Sequence, residues 1–156
     1  ECLNYSLARI DSLVTTYHRL YFEEIKCFKG AIAYIQYLIN SDKTVGIVSN
    51  GIVELQQNKL KLTGISELFP DDLCFISGSF PQNLKKPSPY MVELACQTSK
   101  IDPQNAVFYG NSTDDLVAGI LAGVTTVYFS GSTPIPEDLP QIAQPVFTLN
   151  CWEELL

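Results

Sequence analysis

Short apolar runs alternate along this chain with stretches of helical periodicity, and that alternation restricts the fold more than any other feature. The run Thr44-Val45-Gly46-Ile47-Val48 is β-branched and free of charge, as a strand buried on both faces requires. Leu73-Cys74-Phe75-Ile76, Ala106-Val107-Phe108-Tyr109, Val124 to Phe129 and Val146-Phe147-Thr148 read the same way. Between them, helices are predicted over Ala31 to Asn40, Val53 to Leu62, Pro89 to Thr98 and Asp114 to Ala122. Strand-helix-strand units form right-handed crossovers, so the expectation is an α/β domain of three layers, a mostly parallel sheet with helices on both faces. A ligand in such a fold binds beyond the carboxyl ends of the strands.

Upstream of these units, Leu7, Ile10, Leu13, Val14, Tyr17, Leu20 and Tyr21 recur at steps of three and four, which predicts an amphipathic helix or helix pair from Leu3 to Phe22. It carries Asp11 and the chain's one histidine, His18. Any His cluster or Ser-His-Asp triad would hang on His18 alone, and its helical setting reads as structural. The stretch Ser130 to Pro145 holds four of the nine prolines and reads as a surface connection. A chain of 156 residues without an internal repeat or long linker fits one domain.

Ten Lys and Arg against 17 Asp and Glu give a net charge of −7, which leaves no electrostatic footprint for nucleic acid or an anionic bilayer. No apolar stretch approaches the ~20 residues of a membrane span. Neither nucleic acid nor membrane is therefore an expected partner. Cys2, Cys27, Cys74, Cys96 and Cys151 are odd in number, widely spaced and without a C-x-x-C pair, so no disulfide framework or zinc site is indicated. A reducing, cytoplasmic compartment fits that usage.

Three polar groups fall where the architecture puts a ligand: Ser49 after one strand, Lys86 on the loop after another, and Asn111 with Asp114 and Asp115 after a third. Taken singly, turn chemistry, a surface Lys-Pro and a helix N-cap explain them. Together, in this order, they resemble the haloacid dehalogenase superfamily of hydrolases, of the phosphoglycolate-phosphatase type, from about Phe28 to the C-terminus. Val45 to Gly51 resembles the family's second motif, a strand ending in a Ser or Thr that hydrogen-bonds the transferring phosphoryl group. Lys86-Pro87-Ser88-Pro89 resembles the third, whose lysine neutralises phosphate and nucleophile. Val107 to Asp115, continuing to Gly123, resembles the fourth, G-D-S-x-x-D with an alanine- and glycine-rich helix. The resemblance implies a small phosphorylated molecule as substrate, bound by Ser49, Asn50 and Lys86. It also implies Mg²⁺ held with help from Asn111 and Asp115, and a division into a cap remnant at 1–27 and a core at 28–156.

The family's first motif, an apolar strand ending in D-x-D-x-(T/V) whose first Asp is the nucleophile, has no counterpart here. Asp11-Ser12-Leu13-Val14-Thr15 has leucine at the second carboxylate and lies in a helical pattern. In the family that strand lies between those ending here at Ser49 and Gly110, so without it two inner strand edges stay unpaired. Unpaired buried backbone groups cost about 1–3 kcal/mol each, against a domain stability of ~5–15 kcal/mol. The expectation is that an upstream segment or a second chain supplies the strand, and that these residues alone are inactive.

Asn111 replaces the first aspartate of the fourth motif, which weakens Mg²⁺ binding, or abolishes it together with the missing D-x-D. Two classes of function remain: a phosphatase whose Asp nucleophile lies outside these residues, or a non-catalytic binding or regulatory module. A phosphoacceptor receiver domain also places Ser or Thr before Lys-Pro, but it leaves the G-x-S-x-x-D loop and helix unexplained.

Overall fold

The computed structural model describes residues 6–131 and 139–156. The first residues of the predicted N-terminal helix and most of the proline-rich connection, 132–138, lie outside the described residues. Helices α1 (Leu7–Glu24), α2 (Ala31–Asn40), α3 (Val53–Leu62), α4 (Tyr90–Ser99) and α5 (Thr113–Leu121) alternate with strands β1 (Ile47–Ser49), β2 (Cys74–Ile76), β3 (Val107–Gly110), β4 (Thr125–Phe129) and β5 (Phe147–Leu149). α2 and α3 have the predicted bounds. β1 is shorter than the apolar run that predicts it, because its partner sets its length: Leu73 closes a 3₁₀ turn and pairing begins only at Ile47 opposite Cys74.

All pairings are parallel, as expected, but the strands form two small sheets rather than one, β1–β2 and β3–β4–β5. The strands ending at Ser49 and Gly110 do not pair with each other. Between them lies a cleft of about 380 Å³, lined by Gly46 and Val48 on one side and by Val107, Phe108 and Tyr109 on the other. Helices bridge it. Val92 and Cys96 of α4, Ala118 of α5, Ala122 and Val124 form one buried cluster, against which Val48 and Phe108 pack from the two sheets.

α5 lies unusually close to its sheet. A Cβ on the buried Gly119 would stand 2.5 Å from Thr126 Oγ1 and 2.9 Å from Phe108 Cδ1. On the other side, Trp152 stacks on Phe129 at 4.8 Å and on Tyr34 of α2 at 5.7 Å between ring centroids. The hydroxyls of Tyr34 and Tyr109 are 2.8 Å apart. Burial, then this hydrogen bond, pushes the Tyr109 phenol well above its ordinary range.

α1 keeps its apolar stripe exposed, with Leu13 at 54% and Tyr17 at 61%. One link from it to α3 is Lys59 Nζ, 4.9 Å from the Tyr21 ring centroid. Asp11 lies within this helix and is exposed.

Gly119→Ala forces α5 off the sheet, so it is expected to destabilise the fold by about 1–3 kcal/mol, read as a lower urea midpoint with an unchanged slope.

Candidate active site

The side chain of Lys86 is only one-tenth exposed, which demands compensation for its charge. Its Nζ lies 2.6 Å from Asp115 Oδ1 and donates to the Val48 carbonyl at 2.9 Å. The ammonium also stands 5.8 Å from the centroid of Phe108. Val48 belongs to β1 and Phe108 to β3, so one ammonium ties the two sheets together near their carboxyl ends.

Asp115 is held just as firmly from its own side. It is the third residue of α5, where Ser112 caps the helix: Ser112 Oγ accepts from Asp115 N at 3.2 Å, and Asp115 Oδ2 accepts from Ser112 N. The same Oδ2 also accepts from Ser112 Oγ at 2.8 Å and from Asn111 N at 3.1 Å. This reciprocal cap satisfies helix N-terminal donors and puts a carboxylate at the positive end of the helix dipole. Gly110 permits it, since a Cβ there would overlap Asp115.

Ser49 ends β1. Its Oγ donates to Gln56 Oε1 at 3.2 Å, with the Asn50 carbonyl as a second acceptor at 3.4 Å. Asn50 clamps the lysine backbone at two points, Nδ2 donating to Lys86 O at 2.8 Å and Oδ1 accepting from Lys86 N at 2.9 Å. The next residue is fixed through the loop after β2: Gly51 N donates to Ser77 Oγ at 2.9 Å, and Gly51 O accepts from Gly78 N at 2.9 Å.

Lys86 and Asp115 are thus brought together, while Ser49 sits in sequence between Val48, whose carbonyl takes the Lys86 ammonium, and Asn50, which holds the Lys86 backbone. The Asn50 carboxamide is bonded at both ends to the backbone of Lys86. Asn111 and Asp114 are exposed, and Asn111 joins the cluster through its main-chain N–H. Sequence reasoning missed Ser112, which S-x-x-D ahead of an apolar helix could have revealed as a cap. It also missed Ser77 and Gln56, whose partners depend on tertiary packing.

The residues present do not fit Mg²⁺ on their own. Both Asp115 oxygens already serve other donors, Asn111 brings no charge, and no group of three or more acidic, His or Cys side chains among the described residues is set to hold a metal. Asp115 Oδ2 takes three loop donors and Oδ1 the Lys86 ammonium, so Asn111 and Asp115 alone do not make a complete Mg²⁺ site.

A family model described as haloacid dehalogenase-like hydrolase matches residues 4–129. Among curated relatives, a pyrophosphatase PpaX of Listeria welshimeri is 28% identical over 83% of this chain and 57% of its own length. An N-acetylmuramic acid 6-phosphate phosphatase of Pseudomonas putida is 27% identical over 74% of this chain and 50% of its own. The chain therefore spans about half the length of these relatives. The solved structure of a putative β-phosphoglucomutase from Thermotoga maritima superposes with a TM-score of 0.84 over 99% of this chain and 70% of that one, at 18% identity.

Asp115→Ala strands a buried ammonium and is expected to cost ~3–5 kcal/mol in urea unfolding. Asn50→Ala unpairs two Lys86 backbone groups, and a smaller loss of about 1–3 kcal/mol is expected.

Proposed function

We propose, from the premise that this chain belongs to the haloacid dehalogenase-like hydrolase family, that its site is the phosphate-holding half of a phosphatase for a small phosphorylated metabolite. The observation that carries this reading is the buried Lys86 ammonium, fixed between Val48 O and Asp115 beside Ser49 at the strand ends. Phosphoryl transfer is mostly positioning and charge neutralisation, and these groups supply both. Ser49 donates a hydrogen bond to a phosphate oxygen, Lys86 offsets its charge, and Asp115 with Asn50 positions Lys86.

The nucleophile comes from outside these residues. A strand lying in the cleft between β1 and β3 would pair with both free edges and end level with Ser49 and Gly110. A carboxylate at its end attacks phosphorus as the bond to the leaving oxygen breaks, a second carboxylate gives that oxygen its proton, and water then releases phosphate from the acyl phosphate. Residues 1–27 read as the end of a cap over a core at 28–156, and the compartment as cytoplasmic. The relatives carry hydrolase names, which lends no support to a non-catalytic module.

Hydrolysis of an aryl phosphate tests this in three forms: residues 1–156, the same chain preceded by an apolar strand ending in D-x-D, and that extended chain with Lys86→Ala. Only the second is expected to turn over, and Lys86→Ala is expected to lower its kcat/KM by ~100-fold or more. In the extended chain Asn111→Asp is expected to tighten Mg²⁺ binding. Silence from the extended chain would sink the phosphatase reading, and turnover by 1–156 alone would show that the nucleophile is within it.

A further inference from the structure

The hydroxyl that should meet the phosphate is already engaged. Ser49 has one proton to give, and Gln56 Oε1 at 3.2 Å is the nearer of its two acceptors, with the Asn50 carbonyl at 3.4 Å. The Gln56 carboxamide, reaching back from the second turn of α3, is held close over Gly51, where φ is +147° and a Cβ would overlap Gln56 Nε2. Gly51 is itself fixed by Ser77 and Gly78. Because Gly51 has no Cβ, the Gln56 amide can lie directly against it, with Oε1 in reach of Ser49. The two ends of a carboxamide have nearly the same shape but opposite function, so a half-turn exchanges acceptor for donor at one place.

We propose that Gln56 is a positioning residue that decides whether Ser49 can donate to an anion. Without an anion, Oε1 takes the Ser49 proton. When one binds, the amide turns over, Nε2 donates to Ser49 Oγ, and the serine proton is released toward the anion. The inference rests on the reading of this site as a phosphate site, and it adds a residue and a coupled step to that reading. A side chain that only accepts in this place keeps the proton and adds like charge, whereas one that neither accepts nor donates leaves Ser49 free to rotate.

The test uses the whole protein with its glutamine side chains ¹⁵N-labelled, titrated with inorganic phosphate at neutral pH and followed by NMR and calorimetry. The Gln56 Nε2 resonances are expected to shift in step with phosphate occupancy. Gln56→Glu is expected to weaken phosphate at least tenfold, Gln56→Met by less, and Lys86→Ala to abolish binding. If phosphate binds in a Lys86-dependent way while the Gln56 amide resonances stay still and Gln56→Glu binds within twofold of the parent, the role of Gln56 is overturned and the phosphate site stands. If the parent does not bind millimolar phosphate, both fall. The resonance shift is read in the unmodified protein, so the outcome holds even where a variant fails to fold.

Discussion

The ion pair between Lys86 and Asp115 carries more of this structure than its size suggests. An ammonium taken out of water costs several kcal/mol unless charge and hydrogen bonds replace its hydration. Here the replacements come from different parts of the chain: a carbonyl of β1, the ring of Phe108 on β3 and a carboxylate at the start of α5. The two sheets share no backbone ladder, so this polar knot at their carboxyl ends and the α4–α5 packing across their faces are what hold them in register. Stability and site geometry consequently depend on the same atoms.

Around the pair the loops are fastened backbone to backbone, and glycine makes that possible. Gly78 approaches Gly51 so closely that a Cβ on Gly78 would stand 2.8 Å from the Gly51 carbonyl, and Gly110 gives Asp115 the space to fold back on its own loop. Loops tied in this way present fixed donors, which costs little reorganisation when a ligand arrives.

How much of this was legible in the sequence follows from the range of the interactions. α2 and α3 were predicted residue for residue because helical periodicity is local, whereas β1 lost the first residues of its run because its partner, Leu73 onward, decides where pairing starts. The meeting of Lys86 and Asp115 was legible because strand ends in an α/β fold converge on one edge. The partner of Asn50 was not, since nothing near it in sequence marks a backbone 36 residues away as its target. Residue type likewise shows that a carboxylate can bind a cation but not which donors it already serves, as Asp115 serves Lys86, Asn111 and Ser112.

The Lys86–Asp115 pair also bears on what can hold an anion here. Lys86 brings one positive charge, which it shares with Asp115 at 2.6 Å, while Asn111 contributes none. A phosphate arriving there gains less from charge than it would beside an unpaired ammonium, so directional hydrogen bonds carry a larger share of its binding. Several nearby donors are already engaged: the Gly51 N–H is taken by Ser77, and the Asn111 and Ser112 N–H groups by Asp115. The Ser49 hydroxyl is a donor that can be redirected without breaking the fold, and whatever controls its single proton controls the affinity of the site for an anion.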